Sequence, residues 1–193
     1  LDEMEVLLTT TTLIMAGIES LGGFMSMFAY NMANFHEERR RVAADSNLIP
    51  DAIEESLRFN TSAQRFRRRL QKDVTLHGQT MKQGDFVCLA YGSGNRDERV
   101  FVDPYRFDIT REPNPAQIGF GAGGPHFCLG ANLARREMTV MFDTIRQRVP
   151  SLRITGEPDY LALAKKIVSS REAIWGILSD PKKFSDNKLM AGA

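Results

Sequence analysis

The residues best suited to chemistry lie in one stretch, Gly119-Phe120-Gly121-Ala122-Gly123-Gly124-Pro125-His126-Phe127-Cys128-Leu129-Gly130, which runs straight into a helical pattern. A cysteine so placed is suited to ligate a metal as thiolate, because a helix dipole and free backbone N–H groups favour ionised sulfur. The glycines let the backbone pass close to a flat cofactor, and Phe120 can shield the sulfur from water. Taken alone, Cys128 reads as a small core residue. A core cysteine needs neither the glycines nor the neighbouring His126, so the loop favours the ligand reading. The chain has two cysteines, and Cys88 lies far from Cys128, which makes a poor disulfide framework and lacks the paired spacing of a zinc site. A reducing compartment follows.

A second set of chemistry-bearing residues, Ala16-Gly17-Ile18-Glu19-Ser20, lies inside an apolar segment. Residues 7–35 have little sustained polar face and exceed any strand in length, so they read as a long, largely buried helix. Glycine weakens a helix interior by about 1 kcal/mol relative to alanine, so Gly17 beside an acid calls for a close packing partner or a local kink. Glu19 in mid-segment argues against a membrane span.

The elements that must position these residues follow in order. The charged stretch 36–41 ends the long helix. Ile49-Pro50 then precedes a second helix over 51–59, with Asp51 or Pro50 suited to its first turn. Within it, Glu55-Ser56-Leu57-Arg58 sets opposite charges three residues apart, which on its own reads as a solvated ion pair. After the basic run at 65–69, residues 73–81 form a hairpin turning at His77-Gly78, and 86–91 form a strand. The stretch 92–125 is rich in Gly, Asn, Asp and Pro without a period, the mark of a functional loop. Residues 129–149 are helical, with Leu133, Val140, Met141 and Ile145 among their apolar positions. Residues 152–177 alternate weakly, and the chain turns polar after Pro181.

At 193 residues, 42% apolar and 25% charged, the chain suits a globular protein with a sizeable core, which excludes disordered, collagenous and fibrous classes. Lys and Arg number 25 against 24 Asp and Glu, so the net charge of +1 supplies no field for nucleic acid or an anionic membrane.

The cysteine loop, through Phe120, its glycines, His126, Cys128, Leu129 and Gly130, resembles the iron-ligating loop of the cytochrome P450 family. The resemblance implies a mainly α fold with small β-sheets: a long distal helix, a Glu-x-x-Arg helix, a small sheet, a meander, the cysteine loop and its following helix. It further implies that 1–193 are the carboxy-terminal haem-binding part of one P450 domain, the amino-terminal half being absent. Cys128 would be the axial thiolate of haem b. His126 and Arg68 would hold the propionates, Arg68 by bidentate donation and by strand alternation that separates it from its arginine neighbours. Phe120, Gly130 and Ala16 would line the cofactor. Glu55 and Arg58 would lock onto Arg111 of the meander and aid haem incorporation without taking part in turnover.

In the same resemblance, Gly17 leaves room for dioxygen, Glu19 relays protons and Ser20 supplies the hydroxyl beside it. The family usually carries Thr where Ser20 stands, and losing the β-branch predicts looser proton control and more wasted peroxide. The loop from Phe120 to Cys128 is one residue longer than its commonest form, as in bacterial members that oxidise steroid side chains or branched lipids. The implied activity is insertion of one oxygen atom from dioxygen into an apolar small molecule of steroid, lipid or terpenoid type. Electrons would come from a separate ferredoxin and ferredoxin reductase, with Arg135 and Arg136 as a docking patch. A soluble, cytoplasmic enzyme with no nucleic-acid or membrane partner is expected. The alternative is a truncated haem-binding fragment without activity. A peroxide-driven enzyme is disfavoured, because the Glu19-Ser20 pair is what dioxygen activation requires.

Overall fold

A computed structural model describes residues 1–112 and 116–152. The first helix, α1 (Glu3–Asn34), starts at a reciprocal cap: Asp2 accepts from the Glu5 amide and Glu5 accepts from the Asp2 amide. It ends where Phe35 leaves helical geometry, and the charged stretch then forms its own helix, α2 (His36–Ala44), which the sequence pattern did not separate. After a short turn, α3 (Ile49–Phe59) opens with Pro50 in its first turn, as the sequence predicts. The basic run is β1 (Arg65–Arg69), paired antiparallel with β4 (Phe86–Ala90). Between them β2 (Val74–Leu76) and β3 (Gln79–Met81) form a second two-stranded sheet. Their turn is at His77 and Gly78, with φ of 50° and 76°, the left-handed pair that a two-residue hairpin needs. A single helical turn, α4 (Tyr91–Gly94), leads into the long loop, and α5 (Ala131–Arg148) follows the cysteine. This mainly helical chain with small antiparallel sheets is the architecture expected, and residues 153–193, including the weakly alternating tail, lie outside those described.

The core gathers where α1, α3 and α5 meet the meander: Phe24, Phe28, Ile53, Leu57, Phe107 and Phe142 are all buried there. One sequence expectation fails here. Helix α1 is not largely buried: Leu13, Ile14 and Ile18 are 57%, 55% and 70% exposed, and its buried residues are Phe24, Phe28 and Asn31. From Leu21 onward α1 packs against the core and α5, and Leu13, Ile14 and Ile18 lie outside that contact. By length and composition alone α1 could cross a membrane, but its 24–31 stretch is part of this core. Along α5, which forms where the sequence pattern is helical, the buried residues are Ala131, Met138 and Phe142, Ile145 packs against the same core, and Leu133, Val140 and Met141 are exposed.

One buried acid strains this core. Glu38 is 5% exposed, its Oε2 accepts no hydrogen bond among the described residues, and Arg41 comes only to 3.6 Å. Burial, opposed by Arg41, pushes the Glu38 carboxyl above the usual carboxylate range. The folded state therefore binds this proton more tightly than the unfolded chain, so the contribution to stability is greatest at low pH and is lost as pH rises through the raised value. Glu38→Gln is expected to stabilise the protein by about 1 kcal/mol at neutral pH. Urea unfolding from pH 4 to 7 should show the wild type losing ground relative to the variant as pH rises.

Candidate functional site

The cysteine loop is built by its own backbone. Gly121 N–H donates to Ile118 O at 2.9 Å, Cys128 N–H to Phe120 O at 2.9 Å and Phe127 N–H to Gly124 O at 3.1 Å, so the chain folds back on itself and returns Cys128 beside Phe120. Gly121 and Gly123 hold φ of 98° and 94°, which side-chain-bearing residues rarely adopt. Cys128 O then accepts from Ala131 N–H at 3.2 Å and Gly130 O from Ala134 N–H at 2.8 Å, opening α5 directly behind the cysteine.

Cys128 is free and exposed, between Phe127 at 44% and Leu129 at 92% exposure. A Cβ placed on Gly123, Gly124 or Gly130 would meet nothing within 4 Å. An open thiol on a glycine-lined, apolar surface fits a flat macrocycle carrying iron. Among the described residues no three His, Cys, Asp or Glu are grouped to hold a bare metal ion, so a single thiolate would need the remaining ligands to come from such a ring. Phe120 packs against the core, with the Arg135 guanidinium 4.6 Å from its ring centroid.

Behind the loop lies the charge network. Arg58 Nε and Nη2 bond both oxygens of Glu55 at 2.7 and 2.8 Å, and its Nη1 donates to Asn95 O and Pro104 O, each at 2.9 Å. Arg111 Nε donates to Glu55 Oε1 at 3.2 Å, and the same oxygen accepts Asp108 N–H at 2.9 Å. Glu55 and Arg58 side chains are each 2% exposed, so the tetrapeptide is not the solvated pair that its spacing alone implies.

Helix α1 carries Ala16, Gly17, Glu19 and Ser20 on exposed turns, where the Ser20 hydroxyl donates to Ala16 O. Among the described residues the close partner expected at Gly17 is absent, since a Cβ there would meet nothing within 4 Å, and the helix runs on unbroken through it. Arg68 is half-buried on the β1 face that also carries Phe66, 5.9 Å from that ring, while Arg67 and Arg69 face Phe86. His126 is exposed in the loop.

The family described as Cytochrome P450 matches residues 1–149. The chain belongs to the cytochrome P450 family. It is 44% identical over 147 residues to the methyl-branched lipid omega-hydroxylase of Mycobacterium tuberculosis, covering 76% of this chain and 34% of that protein. It is 40% identical over 127 residues to the steroid C26-monooxygenase of Mycolicibacterium smegmatis, 66% of this chain and 27% of that one. The crystal structure of P450BioI in complex with hexadec-9Z-enoic acid ligated acyl carrier protein superposes with a TM-score of 0.72 at 37% identity, over 76% of this chain and 38% of that one. The chain thus spans about a third of the length of the curated P450s it matches.

Three residues of this P450 site escape sequence reading. Asn95, fully buried, donates to Thr61 Oγ1 at 2.8 Å and accepts Ile118 N–H at 2.8 Å, while its carbonyl serves Arg58. It links α3 to the start of the cysteine loop, yet in sequence it is one polar residue of a turn-rich stretch. Glu54 and Arg135 pair through two bonds of 2.5 and 3.1 Å. Arg135 is therefore turned toward α3 and Phe120, and of the two arginines expected as a docking patch only Arg136 is fully exposed. The doublet Glu54-Glu55 was the available signal for Glu54.

Proposed function

We propose that this chain is the haem-binding part of a P450 monooxygenase that inserts one oxygen atom from dioxygen into an apolar small molecule of branched-lipid or steroid type. The observation that carries the reading is the exposed Cys128 thiol on a glycine loop at the head of α5, with the buried Glu55–Arg58–Arg111 network behind it. Bound haem b supplies the redox chemistry that activates dioxygen. Cys128 would hold the haem iron through its thiolate, and Phe120, whose carbonyl accepts the Cys128 N–H, would limit water there. Arg68 and His126 hold the propionates; Gly130 and Ala16 allow close approach of the ring. Gly17 would leave space for a diatomic, Glu19 would bring protons in, and the Ser20 hydroxyl, which donates to Ala16 O, would hand one on. The glycine-rich loop, longer by one residue, and the names of the two mycobacterial relatives support the lipid or steroid class. A ferredoxin with its reductase supplies electrons, and a cytoplasmic setting suits two unpaired cysteines.

The exposed face of α1, with Leu13, Ile14 and Ile18 uncovered, favours a second reading: a haem-binding fragment with no turnover of its own. Both readings share the thiolate. The ferrous carbonyl spectrum of the haem-loaded protein is expected to show a strongly red-shifted Soret band that Cys128→Ser abolishes entirely. Identical spectra for the two proteins would remove Cys128 as ligand. Turnover with oxygen and an electron donor then separates the enzyme from the fragment.

A further inference from the structure

The acid beside the buried Glu55 has a different set of partners. Glu54 Oε1 and Oε2 accept from Arg135 at 2.5 and 3.1 Å, and Oε2 also accepts from Gln117 Nε2 at 3.1 Å. Gln117 in turn accepts the Gly119 N–H through its Oε1. Gln117 lies just before the cysteine loop and Arg135 in the first turn and a half of the helix after it, so one carboxylate on α3 meets both ends of the loop. The approach is close: a Cβ on Gly119 would stand 3.3 Å from the Leu57 carbonyl of α3. The guanidinium held by Glu54 lies 4.6 Å from the Phe120 centroid, a cation–π contact to the residue whose carbonyl accepts the Cys128 N–H.

We propose that Glu54 is a positioning residue for the Cys128 thiolate: its carboxylate fastens the loop at Gln117 and at Arg135, and through Arg135 it fixes the Phe120 ring. This rests on the haem-thiolate reading above. The pair is partly exposed, with side chains 40% and 36% accessible, so it contributes little to global stability and its effect falls on loop geometry. The Glu54 bond raises the Arg135 guanidinium further above its ordinary value, against partial burial that lowers it. Paired with Glu54, that cation adds little net field at the thiolate. Unpaired, it draws electron density from sulfur and disfavours the oxidised metal centre.

The test uses the haem-loaded protein, its Glu54→Gln and Arg135→Lys variants and the charge-exchanged double variant Glu54→Arg with Arg135→Glu. Glu54→Gln keeps the acceptor for Gln117 but weakens the grip on Arg135; Arg135→Lys keeps charge and loses the fork. In both single variants the red-shifted carbonyl band should lose at least half its intensity to the unshifted band, with the thermal midpoint unmoved. The reduction potential should rise in Glu54→Gln, and the double variant should recover part of the red-shifted band. Wild-type spectra and potentials in both single variants overturn the proposal, as does loss of the band only in step with a falling thermal midpoint. Failure of the underlying reading looks different: the wild type itself would lack the red-shifted band and match Cys128→Ser, and both claims would fall together.

Discussion

Arg58→Met is expected to destabilise the protein by about 3–5 kcal/mol, because it strands a buried charge. Arg58 is 2% exposed and spends its donors on Glu55 and on the carbonyls of Asn95, Pro104 and Arg106. Methionine fills much of the volume but leaves Glu55 with only Arg111 and the Asp108 amide, and leaves the Asn95 and Pro104 carbonyls without their guanidinium, while Arg106 O keeps its bond from Arg111. Removing both charges does not repair the loss, since the carbonyls stay orphaned; Glu55→Leu with Arg58→Met is expected to remain well below wild type. Arg58→Lys should also fail, because an ammonium cannot serve the carboxylate fork and the carbonyls together. Chemical unfolding gives the magnitude. The meander that Arg58 gathers leads into the cysteine loop, so haem retention should decline with stability. A variant that unfolds like wild type would mean the network is not what holds the meander.

This site was partly legible in sequence, and the division has a physical reason. Features governed by local rules were readable: the Pro50 helix start, the His77-Gly78 turn, and the glycines that let Cys128 return to Phe120. The long-range set Glu55, Arg58 and Arg111 was reachable only through resemblance, because charges at i and i+3 look the same whether exposed or buried. The role of Asn95 and the pairing of Glu54 with Arg135 were not read from the sequence. Their roles arise from which loop packs on α3, and no periodicity encodes that. The burial of α1 was misread because an apolar helix states what it can bury, not whether this chain supplies a cover.

Phe28→Ala is expected to lower the unfolding free energy by about 3–5 kcal/mol, as for other buried aromatic truncations. Phe28 is 3% exposed and stacks on Phe142 of α5 with centroids 3.7 Å apart, and Phe24 closes the cluster at 6.0 Å from Phe28 and 6.4 Å from Phe142. Little of α1 other than these last turns is buried, so the cluster is the joint between the helix bearing Glu19 and Ser20 and the helix that starts behind Cys128. A cavity at this joint cannot be refilled by solvent-facing α1 residues, which point elsewhere. Phe28→Leu keeps most of the volume and should cost less than about 1.5 kcal/mol. If proton delivery depends on the spacing of the two helices, Phe28→Leu should waste more reducing equivalents as peroxide while keeping the carbonyl band of Cys128 unchanged. A full-strength carbonyl band with unaltered coupling in Phe28→Leu would mean the joint serves stability alone and that other contacts set the distance between Ser20 and the thiolate.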